Sequence, residues 1–230
     1  MQIHRVPSGV DFIDRTFGGL YAGHGVLLRG RHGTGKTLFS LHFLQAGLRH
    51  AERCMLLTNH SPGSLSTLSD TFGFNDLLSA HGERLILLEF EAFQVGEHTL
   101  GPDYPALSAF TQMVEIAQAN RVHRIVFDSL LPWLLPDTQG AMHRHVLSFI
   151  RACNRLDATF LMTLPKPASP IARELAAMLE ANVPVALHCE PGETPGHFTC
   201  QTRKFLGARM PAEPFAYQIR KNAGIIGLAQ

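Results

Sequence analysis

The sequence predicts an α/β fold: a three-layer α/β/α sandwich with a mostly parallel central sheet and a C-terminal antiparallel extension. Three observations carry the prediction. Continuous apolar runs alternate with helix-like segments as far as Pro165, which is how strands covered on both faces by helices read. One run leads into Gly30-Arg31-His32-Gly33-Thr34-Gly35-Lys36-Thr37, a match without mismatch to the phosphate-loop pattern G-x-x-x-x-G-K-S/T. Another ends in Asp128, as a central strand does when it delivers a carboxylate to the same end of the sheet.

Taken in order, Val26-Leu27-Leu28 is a short buried strand, and the run from Leu38 to Leu44 is an amphipathic helix following the loop. Strands are expected at 54–58, 85–90, 124–128 and 159–164, with helices near 64–72, 107–120 and 141–155 between them. Crossovers joining such elements build one layered domain over residues 1–230. After Pro165 the pattern changes to short runs at 183–189, 197–204 and 215–220 separated by Pro and Gly. These are expected to form the antiparallel extension of the same sheet. Pro165–Pro170 sits about where recombinases carry a DNA-binding loop, but it lacks a glycine-rich basic character and reads as a connection.

Composition narrows the class. The chain has 230 residues, 45% hydrophobic and 17% charged, with a formal net charge of +1. That balance gives no bulk attraction to nucleic acid or to an anionic membrane. The small basic groups around Arg144, Arg151 and Arg155, and around Arg203, Lys204 and Arg209, read as solvated faces. The four cysteines show no C-x-x-C pairing, as expected of buried, reduced thiols in a cytoplasmic protein. The start does not resemble a signal peptide, and no apolar stretch is long enough to span a bilayer. His143-x-His145 and His188-Cys189 lack the spacing and third ligand of a metal site. Trp133, after the Asp128 strand, reads as core or subunit contact in preference to a base-stacking platform.

The loop residues predict a nucleoside triphosphate site. Glycines let backbone N–H groups close on an anion, and the following helix presents its N-terminus to the phosphates. Gly30 to Thr37, with Leu38 in the first turn and Asp128 opposite, form the candidate nucleotide-binding set. Lys36 is placed to reach the β- and γ-phosphates, and Thr37 and Asp128 to hold Mg²⁺.

Beyond the loop, Ser8-Gly9-Val10-Asp11-Phe12-Ile13-Asp14, then Phe17-Gly18-Gly19-Leu20, resembles the lead-in of KaiC-type and RadA-type ATPases of the RecA superfamily. Ser61-Pro62-Gly63-Ser64-Leu65, Phe72-Gly73-Phe74 and Phe127-Asp128-Ser129 continue the resemblance, which thins after Pro165 until the 215–228 tail. It implies ATP and Mg²⁺ bound at interfaces of a homo-oligomer, commonly a hexameric ring, and it implies protein partners.

Two departures from that family's pattern shape the functional expectation. Hydrolysing relatives end the second strand in paired glutamates, whereas here Thr58 is followed by Asn59-His60. Asn59 can orient a water but not take its proton. His60, an imidazole, can accept one. The plainer reading, which we prefer, is that both residues begin the turn before Ser61-Pro62. Relatives also present a Lys-x-Arg pair from the neighbouring subunit. The matching stretch is Lys204-Phe205-Leu206, so Lys204 can still touch the phosphate but the arginine is absent. Each loss is worth orders of magnitude in rate. The expectation is an ATP-binding regulator with slow or absent hydrolysis. The alternative is an active ATPase of recombinase type working with single-stranded DNA.

Overall fold

The computed structural model describes residues 4–80, 82–89, 105–134 and 142–228, the side chains at 105–109, 132, 133 and 142 excepted. Phe90, Pro136 and Ala141, and the Trp133 side chain, lie outside the described residues. In chain order the elements are β1 (Arg5–Val6), α1 (Asp11–Phe17), β2 (Leu20–Tyr21), β3 (Gly25–Gly30), α2 (Lys36–Arg49), β4 (Cys54–Thr58), α3 (Pro62–Phe72), α4 (Asn75–Ser79) and β5 (Leu85–Glu89). They continue with α5 (Pro105–Ala119), β6 (Arg124–Asp128), α6 (Leu131–Leu134), α7 (Met142–Cys153), β7 (Thr159–Pro165), α8 (Pro170–Asn182), β8 (Val185–Pro191), β9 (His197–Phe205), β10 (Phe215–Arg220) and β11 (Gly224–Gly227).

Among the described residues, one nine-stranded sheet runs in the order β11-β10-β9-β8-β3-β7-β6-β4-β5, and β1 pairs with β2 in a small separate ribbon. The strands from β8 to β5 are mutually parallel, while β9, β10 and β11 are antiparallel. Alternation along each strand splits the core in two. Val26 and Leu28 face a cluster with Phe39, Phe43 and Leu44 of α2. Leu27, Met55, Phe127 and Met162 face another with Phe149 of α7 and Leu175 and Leu179 of α8. Strands buried on both faces need apolar residues at every position, which explains the unbroken runs.

Two elements correct the sequence reading. The 183–189 run belongs to the parallel core, not the antiparallel extension: β8 pairs with β3 in parallel, Gly30 opposite Cys189. The cause is α8, a helix not anticipated in the sequence, which supplies the crossover that a parallel neighbour requires. Its start was legible. The Ser169 hydroxyl accepts the Ala172 N–H at 3.1 Å, and Pro170 opens the helix, a normal N-terminal signature. Residues 166–169 are accordingly a connection between β7 and α8.

The lead-in also acquires a physical reason. The Asp14 carboxylate accepts the N–H groups of Ser8 at 2.7 Å and Gly9 at 3.0 Å, clamping the turn into α1. Arg124, fully buried, then donates to the Pro7 and Phe43 carbonyls and pairs with Glu52. A buried guanidinium is tolerated because these partners occupy its donors. This staple fixes the lead-in, α2 and β6 relative to one another at the end of the sheet away from the phosphate loop.

Candidate nucleotide site

Sheet register brings the site together. β3, β4, β6 and β7 end at the same edge: Thr58 lies opposite Asp128, and Gly30 opposite Pro165. Because Phe127 pairs with Met162, the next residues, Asp128 and Thr163, become neighbours across the β6–β7 ladder. The Thr163 hydroxyl donates to Asp128 Oδ1 at 2.6 Å. Asp128 is buried, and this bond occupies one oxygen while leaving Oδ2 for other partners.

The loop leaves β3 at Gly30 and enters α2 at Lys36. Gly33 and Gly35 have φ of 78° and 82°, left-handed values that glycine adopts without a Cβ penalty. A Cβ at Gly33 would meet nothing within 4 Å, so open space adjoins the loop there. Thr34 is buried, its hydroxyl donating to the Arg31 carbonyl at 2.8 Å. From across the sheet, the buried Tyr217 hydroxyl donates to the Thr34 carbonyl at 2.6 Å. The loop is thus held from inside and from the antiparallel wing, with its outer N–H groups left for an anion.

Lys36 Nζ donates to the carbonyls of Gly30 at 3.1 Å and Arg31 at 2.8 Å. Burial pushes its ammonium below the usual lysine value, and the nearby Asp128 carboxylate opposes that push. A desolvated cation curled over its own loop is poised for an anionic partner. Thr37 follows on α2, its hydroxyl 3.3 Å from His60 Nε2. His60 Nε2 also lies 3.8 Å from Asp128 Oδ2.

The remaining expected site residues divide. Asn59 is exposed, and its backbone N–H donates to the Asp128 carbonyl at 3.2 Å. The His60 N–H donates to Thr58 Oγ1 at 3.0 Å, so both residues do begin a turn while the His60 ring faces Thr37 and Asp128. His32 is exposed at the loop's crest. Arg31 turns to Glu190, with Nε 3.1 Å from Oε2. Leu38 is buried in the core, so its contribution to the site is backbone from the first turn of α2.

Lys204 is not brought to this chain's loop. In the β8–β9 ladder it lies opposite Ala186, while the strand neighbour of Gly30 is Cys189, nearer the other end of β8. Its Nζ donates to the Glu180 and Ala181 carbonyls, each at 3.1 Å, where the end of α8 favours a cation. Leu206, at the position where the resemblance calls for arginine, is 63% exposed. Thr163 and Tyr217 were missed in the sequence. A lone Thr or Tyr in an apolar strand carries no local mark of a contact this remote. All four cysteines are free and buried, and burial raises the Cys54 thiol to about 12.

Comparison with known proteins bears on the family and the fold. The family model described as the KaiC ATPase matches residues 6–226. The circadian clock oscillator protein KaiC of Parasynechococcus marenigrum is 28% identical over 180 residues, covering 75% of this chain and 35% of that protein. The circadian clock protein KaiC2 of Synechocystis is 34% identical over 99 residues, 42% of this chain and 17% of its own length. The chain thus spans about a third of the first relative's length. Among solved structures, the KaiC-like protein PH0186 of Pyrococcus horikoshii superposes with a TM-score of 0.80, covering 99% of this chain and 100% of that one at 19% identity. That match speaks for a shared fold.

Proposed function

The chain belongs to the KaiC ATPase family, and from that premise we propose that it is an ATP-binding regulatory protein in which binding outweighs hydrolysis. Nucleotide is gripped by the loop from Gly30 to Thr37 and by Lys36, with a divalent cation, magnesium in the first instance, held by Thr37 and Asp128. The donors fit such an ion: a hydroxyl and a carboxylate oxygen are hard ligands, and Asp128 Oδ2 is the oxygen that Thr163 leaves available. A magnesium ion held there would supply positive charge that offsets that of the phosphates. Lys36 exchanges its loop carbonyls for phosphate oxygens, and Tyr217 keeps the loop in its receptive shape.

One observation carries the regulatory reading. The end of β4 presents Asn59 and His60 where a proton-accepting carboxylate would stand. Exposed Leu206 in place of a forked cation points the same way. A nucleotide that is held and slowly cleaved still shifts an equilibrium by its differential affinity for two states. We place that equilibrium in assembly of a cytoplasmic homo-oligomer, hexameric in the family manner, with nucleotide at subunit interfaces, or in docking of a protein partner.

The test pairs nucleotide retention with phosphate release. Purified chain should retain ATP in the presence of Mg²⁺, change mass by light scattering when ATP is added, and release phosphate slowly with or without single-stranded DNA. Turnover at roughly 1 s⁻¹ or above, an ordinary enzyme rate, overturns the regulatory reading. Stimulation by single-stranded DNA that weakens with salt establishes the recombinase-type alternative instead.

A further inference from the structure

His60 is more than the start of a turn. Its backbone N–H already satisfies the turn through Thr58 Oγ1, so nothing in the turn requires the imidazole to face inward. Yet Nε2 lies 3.3 Å from the Thr37 hydroxyl and 3.8 Å from Asp128 Oδ2, the two side-chain donors of the cation site. The other Asp128 oxygen is occupied by Thr163, which leaves Oδ2 on the His60 side.

These separations can be compared with what one ion spans. With metal–ligand bonds of about 2.1 Å, adjacent octahedral ligands lie roughly 3 Å apart and opposite ligands roughly 4.2 Å apart. The 3.3 Å separation is close to the adjacent spacing, and 3.8 Å lies between the two, within a small side-chain adjustment of either. We propose that His60 Nε2 is a direct ligand of the nucleotide-associated cation, completing a Thr37–Asp128–His60 donor set that favours a first-row transition ion such as Mn²⁺ over Mg²⁺. Magnesium is bound by oxygen and tolerates nitrogen poorly, whereas first-row transition ions accept imidazole more readily, Mn²⁺ the least of them but still more than Mg²⁺. This inference rests on the nucleotide-binding reading above and deepens it. It also removes His60 as a general base, because a lone pair shared with a metal is not available to a proton.

The test uses the full chain labelled with ¹⁵N-histidine, Mn²⁺, and the β,γ-methylene analogue of ATP, which carries no bridging nitrogen. Pulsed electron paramagnetic resonance on the ternary complex should show the hyperfine coupling of a directly bonded imidazole ¹⁵N, and His60→Gln should abolish it. In parallel, the ratio of analogue affinities in Mn²⁺ and in Mg²⁺ should fall roughly 10-fold in His60→Gln, the scale on which metal sites respond to lost support. Taking the ratio against wild type cancels the analogue's own preference among metals. Analogue and Mn²⁺ bound without nitrogen coupling, or a coupling that survives in His60→Gln, overturns the ligand proposal while the nucleotide reading stands. A wild-type chain that binds no analogue with either metal overturns both.

Discussion

The Tyr217 hydroxyl donates to the Thr34 carbonyl at 2.6 Å, tying the middle of the phosphate loop to a strand of the antiparallel wing. A segment remote in sequence therefore holds the loop's shape. Tyr217 is seated by ring contacts with Phe198 at 5.5 Å and Phe39 at 5.8 Å, so its ring stays in place if the hydroxyl is removed.

Tyr217→Phe should leave the buried Thr34 carbonyl without this donor and cost about 1–3 kcal/mol of stability. Urea unfolding reads that loss. ATP affinity, measured by calorimetric titration, should fall with it, because the loop no longer rests in its binding shape. An affinity equal to wild type would show that the tie is structural only.

Thr163→Val keeps the volume of the side chain and removes the donor to Asp128 Oδ1. A hydrogen bond to a buried carboxylate is worth about 1.5–3 kcal/mol, and support of a metal-ligating carboxylate typically 10–100-fold in metal affinity. Nucleotide titrations with Mg²⁺ and with EDTA should diverge less in this variant than in wild type.

Asn59→Glu combined with His60→Glu restores carboxylates at the end of β4. Phosphate release should rise roughly 10²-fold, the lower end of what a positioned general base supplies. Colorimetric phosphate detection checks this on protein shown to hold ATP. No gain with ATP bound would place the catalytic deficit elsewhere, with Leu206 the next position to examine.

Acid sensitivity should come in part from His42. Burial pushes its imidazole down to about 4 from 6.5, and its Nε2 accepts the Ile225 N–H at 2.9 Å. The unfolded chain takes a proton as pH falls below 6.5, while the folded chain refuses it until about 4. Stability is therefore fully present above 6.5 and lost progressively down to about 4, by about 3 kcal/mol from this group. His145 and His188 are lowered by burial too and act in the same direction. His42→Gln retains an acceptor for Ile225 without the titration. Denaturant unfolding at pH 7 and pH 5 should show a smaller difference in the variant.

Much of the fold was legible because its signals are local. The strands at 54–58, 124–128 and 215–220 have the bounds expected of them: the first two carry apolar centres buried on both faces, and the third alternates, burying Phe215 and Tyr217. The phosphate-loop pattern was legible because its glycines, lysine and threonine are neighbours in one contiguous turn. α8 was missed although Ser169-Pro170 marks its start, because the Pro-rich lead-in at 165–170 reads first as a break. That omission in turn put β8 in the wrong part of the sheet.

The sequence by itself determined that a phosphate-loop pattern precedes a helix, that a carboxylate ends a core strand, and that glutamates are absent after Thr58. Each statement concerns neighbours along the chain, whose geometry is set by short-range backbone chemistry. The tertiary structure alone decided that His60 faces Thr37 and Asp128, that Thr163 holds one carboxylate oxygen, that Tyr217 secures the loop, and that Lys204 caps α8. These contacts depend on strand order and register, where the shift of one strand relocates every side chain it carries.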